Sequence, residues 1–291
     1  MRVSEWIAVA YFVGLALATT IVPVGARTRL AVAAIAVLAA CLVVALIAVA
    51  DAAWWLALAR DWAPAAYLMV GYWLPGGLQR PPNPRLETWL MMTDRRLFEW
   101  LGPKQGRVPT EASVVTSVSP PWYGAMLEAV YVLVYPFVPA CFLLLYVTAP
   151  SEASDVFWSA VLVSGYACYG TLPWLPARPP RQVEANERSD GPHARAAVPR
   201  SRAQRLLRLL NERVSGSMGV GGDTLPSGHV AVAVAAALVV AQFLPVIGAL
   251  LIALTLLIAT ATVVGRYHYA VDAVSGLAVG ALAWLVLTWM R

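Results

Sequence analysis

The sequence predicts an all-α protein: a polytopic membrane helix bundle of about eight spans. Of the 291 residues, 60% are hydrophobic and 13% charged, against about 45–50% and about 25% in soluble chains. So little polar surface cannot cover a folded chain in water, and lipid must cover the rest. The apolar residues also gather into runs near the roughly 20 residues that a helical span needs. Finally, the 21 basic residues, all arginine but Lys104, cluster in alternate loops.

In chain order, the candidate spans are 4–23, 30–50, 54–74, 122–147, 155–175, 229–245, 247–264 and 271–289. The first is followed by Arg27 and Arg29 and lacks a small-residue cleavage site, so it reads as a span rather than a signal peptide. The third is interrupted by Arg60 and Asp61, and Pro64 is placed to start or kink its helix. Residues 229–264 form one apolar block, long enough for two antiparallel helices turning near Pro245 and Gly248. Cys41, Cys141 and Cys168 are scattered through apolar runs, as core residues are and disulfide frameworks or metal clusters are not.

Two polar stretches, 75–121 and 176–228, separate these runs. Each holds an amphipathic piece. Between Arg85 and Leu101, the residues Leu86, Trp89, Leu90, Leu97 and Trp100 recur at helical spacing. Between Arg202 and Arg213, Leu206, Leu209 and Leu210 oppose Arg205, Arg208 and Arg213. Both are expected to be interfacial helices lying on the bilayer; the alternative is a solvated basic loop. With eight spans, nearly all the basic residues fall on one side, which the positive-inside rule places in the cytoplasm. Arginines packed between spans suit an anionic substrate or lipid surface and make nucleic acid a poor partner.

Chemistry concentrates at two of the three histidines. His229 ends the run Gly222-Asp223-Thr224-Leu225-Pro226-Ser227-Gly228-His229 and opens one span. His268 lies in Gly265-Arg266-Tyr267-His268-Tyr269-Ala270-Val271-Asp272 and opens the last. A two-helix hairpin separates them, so both face the same side and can share a pocket. Ser227 and Gly228 at a helix start suit an anion, and Arg266 can add a bidentate phosphate contact. His268 and Asp272, four apart, share a helical face; a carboxylate on one imidazole nitrogen leaves the other free to attack. His229 is then placed to act as acid and base. His193 sits in a polar loop and reads as solvated, while Glu128 and Asp155 read as helix-end or interhelical partners. Two histidines and an aspartate lack the spacing of a zinc site.

The pair "PSGH" and "RYHYAVD" resembles the second and third signature motifs of the type 2 phosphatidic acid phosphatase superfamily. In wording, "GGDTLPSGHV" and "RYHYAVDAVSG" are most similar to its inositol phosphorylceramide synthase and sphingomyelin synthase-like branch. The resemblance covers roughly residues 120–290. It implies a six-helix catalytic core in 54–291 behind two extra N-terminal membrane helices in 1–53. It also implies a phosphohistidine on His268 oriented by Asp272, with His229 as general acid and base. Ser227, Gly228 and the arginines Arg178, Arg181 and Arg266 would bind phosphate, with no metal and no cofactor. The active site of the family is usually extracytoplasmic, opposite to the side the arginine count gives.

Two departures bear on the branch. The first motif of the superfamily has a Lys seven residues before Arg-Pro; here Thr171 stands there, before Arg178 and Pro179. The usual Ser-Arg pair of the third motif is replaced by Ala261 and Thr262, with Arg266 as the substitute. Both fit the synthase-like branch. The expected activity is phosphoryl transfer from a lipid phosphate or phospholipid within a bacterial inner membrane, most simply as a lipid phosphate phosphohydrolase. A head-group phosphotransferase shares every catalytic residue. A non-enzymatic lipid-binding or transport protein on the same fold is the third possibility, and it would tolerate replacement of His268 and Asp272.

Overall fold

The computed structural model describes residues 1–101, 121–183, 202–220, 222 and 224–290. Among the described residues there are eleven α-helices and no strand. They are α1 (Val3–Ala18), α2 (Ala26–Val49), α3 (Trp54–Gly76), α4 (Pro84–Leu101), α5 (Pro121–Val132) and α6 (Val134–Thr148). After these come α7 (Glu152–Tyr169), α8 (Arg202–Met218), α9 (Gly228–Phe243), α10 (Pro245–Val264) and α11 (Ala270–Trp289). Three segments are long and apolar enough to cross a membrane: Ala26–Ala52, Pro245–Val264 and Ala270–Trp289. A fourth is added if α5 and α6, bent by 53°, form one span. Helices α1 and α9 are apolar but shorter. Length and composition thus support three or four of the eight expected spans.

The break in the 122–147 run has a local cause. Pro136 lies in the first turn of α6, where its missing N–H costs little, but its ring crowds the carbonyl four residues back, that of Val132. Helix α5 stops at that residue. Pro64 does not start the helix: α3 begins ten residues earlier, at Trp54, and runs through it. Arg60 and Asp61 do not interrupt this helix either. Arg60 pairs with Glu5 on α1 at 2.6 Å, and Asp61 with Arg2 at 2.6 Å. A buried charge is tolerated when it is paired.

Helix α9 is the axis of the bundle. Val230, Ala231, Ala233, Ala235, Ala236, Ala237, Val239 and Val240 have no exposed surface, and α7, α10 and α11 surround it. Small residues allow this closeness. A Cβ on Gly276 or Gly280 of α11 would meet the backbone at the start of α9, at Ser227 O and Ala231 O respectively. This is small-residue packing of the kind that joins membrane helices. The start of α9 is thereby fixed against the start of α11, and each start carries one of the two histidines.

The two amphipathic pieces form helices, α4 and α8. On α4, Glu87, Leu90 and Asp94, at i, i+3 and i+7, are buried, and Leu90 packs with Ala177 and Tyr269. On α8, Asn211 is buried, while Leu206, Leu209 and Leu210 stay exposed. Both helices therefore turn polar side chains toward the histidine end of the bundle. His193, Lys104 and Asp223 lie outside the described residues.

Candidate active site

Three short devices set the site. At the start of α9, Ser227 Oγ accepts from Val230 N at 3.5 Å, a helix cap. Ser227 N donates to Asp272 O at 3.0 Å, and Gly228 N donates to Thr224 Oγ1 at 2.9 Å. Ser227 and Gly228, expected to hold phosphate, thus have polar groups engaged in building the turn. The next residue after this turn is His229.

At the end of α10, Tyr267 N donates to Thr262 O (2.9 Å) and Arg266 N to Val263 O (3.0 Å). This paired pattern is a Schellman cap, whose left-handed residue is usually glycine. Here Arg266 occupies it, at φ 61°, and an L side chain in that conformation costs roughly 1–2 kcal/mol. The strained turn throws His268 back toward α9. At the start of α11, Asp272 Oδ2 accepts from Tyr269 N at 3.2 Å. Asp94 of α4 reaches across so that its Oδ1 accepts from Ala270 N at 2.8 Å. Both carboxylates sit where the helix dipole favours negative charge.

These devices bring His268 Nε2 to 3.5 Å from His229 Nδ1 and His268 Nδ1 to 3.9 Å from Asp272 Oδ2. The two nitrogens of His268 are therefore differentiated: one faces the carboxylate, the other faces His229 and the cavity. His268 and Asp272 are buried.

The arginines divide. Arg266 lines the cavity and contacts Asp94 Oδ2 at 3.5 Å. Arg181 also lines it, lies over the Tyr267 ring at 4.4 Å and is 3.7 Å from Glu128. Arg178 is held elsewhere, outside the cavity lining, by a two-pronged contact to Glu87 at 2.9 and 2.8 Å. Hydrogen bonding from Arg178 holds the Glu87 carboxyl below its ordinary value.

Asp94, Glu128 and Tyr267 also contribute, although the sequence pattern did not assign them to the site. Asp94 on α4 braces both Arg266 and α11. Glu128 on α5, read from sequence as an interhelical partner, is a hub behind the cavity. It accepts from Tyr267 OH (2.7 Å), Asn211 Nδ2 (2.7 Å) and Arg208 Nε (3.1 Å). Burial pushes the Tyr267 phenol up, so it stays protonated and donates. Tyr267 also stacks on Tyr131 at 3.8 Å. A signal for Asp94 did exist: Glu87 and Asp94 are seven apart and share one face of α4.

These groups open on one cavity of about 570 Å³. Arg181, Arg266, His229, His268 and Thr224 line one end, and Ala65, Leu68, Val138, Pro139 and Trp158 line the other. Such an arrangement can neutralise an anion, present a nucleophilic nitrogen and shelter an apolar group. Comparison with known proteins gives no match among curated proteins and none among solved structures. The model of the PAP2 superfamily does match, over residues 107–286, which include both histidines, Asp272 and the three arginines. The chain belongs to the PAP2 superfamily, that of the type 2 phosphatidic acid phosphatases.

Proposed function

We propose that the protein transfers the phosphoryl group of a lipid phosphate to water through a phosphohistidine on His268. The observation that carries this reading is the two-ended cavity, in which an end lined by two histidines and two arginines joins an apolar limb. His268 Nε2 attacks phosphorus while Asp272, facing Nδ1, stabilises the positive imidazole. The 3.9 Å contact tightens once the phosphate is bound, as catalytic contacts in empty sites commonly do. Arg181 and Arg266 neutralise the phosphoryl oxygens. His229 gives its proton to the departing lipid oxygen as the P–O bond breaks. It then takes a proton from water as that water attacks the phosphohistidine, releasing phosphate and restoring both histidines. No resident cofactor enters this scheme. Arg178 acts through Glu87, pinning α4 over the site, and Ser227 and Gly228 act by holding His229.

A lipid or polyol alcohol in place of water would make the same residues a head-group phosphotransferase. The motif wording and the Thr171, Ala261 and Thr262 departures favour that second reading. In this reading the site faces the arginine-rich side of a bacterial inner membrane.

One assay separates these readings. Purified protein is given lipid monophosphates and phospholipids in EDTA, with and without a lipid alcohol, beside His268→Ala. Phosphate release lost in the variant supports the hydrolase. A new phosphodiester formed only with the alcohol supports the transferase. Function that survives both His268→Ala and Asp272→Ala points to a binding or transport protein instead.

A further inference from the structure

The apolar limb of the cavity has a floor. Along α7, Tyr169 lines the histidine end and Trp158 the far end; the eleven helical steps from one to the other span about 16 Å. On α3, the lining runs from Tyr72 down to Ala65, and on α6 from Val134 to Pro139. The indole of Trp158 ends the limb. Its Nε1 donates to Asp61 O at 2.9 Å, and Phe142 and Phe157 brace it at 4.7 and 5.1 Å. Behind the indole lies charge rather than more apolar space: Asp61 holds Arg2 at 2.6 Å and accepts from Tyr146 OH at 3.0 Å. A hydrocarbon chain that pushed past Trp158 would have to break these contacts and lie against part-exposed charge, Arg2 and Asp61 keeping 34% and 17% of their side-chain surface, which is unfavourable.

The cavity volume of about 570 Å³ lies mid-range for sites that enclose one drug-sized molecule, about 300–1,000 Å³. Among the described residues the cavity has one apolar limb, bounded by α3, α6, α7 and Val232 of α9. We infer that the substrate is a single-chain lipid monophosphate whose chain is housed inside the protein, and that Trp158 measures its length. This rests on the phosphoryl-transfer reading above and adds the substrate class and a specificity-determining residue. It also gives Arg2, Asp61 and Tyr146 a role, since they fix the floor.

The test uses full-length protein held in an amphipathic polymer and a series of n-alkyl monophosphates from butyl to hexadecyl, alongside a two-chain phosphatidic acid. Product formation is followed for the parent, Trp158→Ala and Ala65→Leu. In the parent, kcat/KM rises about fourfold for each methylene that enters the limb, the equivalent of about 0.8 kcal/mol per buried CH₂. It then stops rising at one length. Trp158→Ala moves that break to longer chains and Ala65→Leu to shorter ones. Should Trp158→Ala fail to fold, Ala65→Leu alone decides. A break that neither variant moves, or a two-chain substrate preferred over every single-chain one, overturns the inference while leaving the phosphoryl-transfer reading intact. Turnover of no substrate in the series or of the phosphatidic acid overturns both.

Discussion

The two ends of the bundle both bury charge, and they bury it differently. At the end where α1 and α7 begin, charges meet each other directly. Arg60 lies 2.6 Å from Glu5 and Arg2 2.6 Å from Asp61. Asp155 accepts from Val3 N, Ser4 N and Ser4 Oγ at 2.6–2.9 Å. At the histidine end, the groups facing the cavity stand further apart: 3.5 Å between the histidines, 3.9 Å from His268 to Asp272, 3.5 Å from Arg266 to Asp94. The short contacts there lie behind the cavity, at Glu128 and at the cap of α11. The short, closed pairs hold helices together, whereas the longer contacts at the histidine end border a space. Burial of charge alone does not mark a site; the space beside it does.

The largest separation of the two ends is expected from activity. His268→Ala should lower turnover by about 10⁴-fold or more, as loss of a covalent nucleophile does, while the unfolding midpoint stays near that of the parent. Arg60→Ala should do the reverse. Removing one partner of a buried pair costs about 3–5 kcal/mol, and the lower part of that range applies because the Arg60 side chain keeps 19% exposure. Chemical or thermal unfolding in detergent reads the loss, and turnover per folded molecule should hold.

A smaller effect probes the strained turn. Arg266→Gly and Arg266→Ala both remove the guanidinium and should both lose most activity. Glycine pays no penalty at φ 61°, so Arg266→Gly should be the more stable of the two by about 1 kcal/mol. Equal stability would mean the turn stores no strain.

The smallest effect is a pH dependence at Glu87. Its carboxyl is held below the ordinary value of 4.5 by Arg178. Because the folded value lies below the unfolded one, the pair stabilises fully above about 4.5, and that contribution is lost as pH falls through the folded value. The parent should therefore be more stable than Glu87→Gln near neutrality, and the gap should close on acidification. Unfolding midpoints across pH check it; a gap that widens in acid would reverse the assignment.

Much of this was legible in the sequence because it depends on local pattern. Hydropathy located the helices. The spacing of His268 and Asp272 brought them near each other, though not on a shared helical face: α11 starts at Ala270, so His268 precedes the helix and meets Asp272 across its first turn. What pattern could not give was partnership across the fold. Arg60 and Asp61 looked like interruptions because Glu5 and Arg2 are more than fifty residues away. Pro136 broke a run that reads as one span by hydropathy alone, which takes no account of the proline within it. Asp94 sat on what looked like a solvated face, since a search for apolar stripes overlooks a helix that buries its carboxylates. Arg178 was expected in the site by motif position, but Glu87 on α4 holds it outside the cavity.

The central claim is that His268 becomes covalently phosphorylated. Protein mixed with a ³²P-labelled lipid monophosphate, quenched in alkali within milliseconds and digested, should yield an acid-labile phosphohistidine on the peptide carrying His268, and none from His268→Ala. Label on another residue, or turnover with no label at all under those conditions, would contradict it.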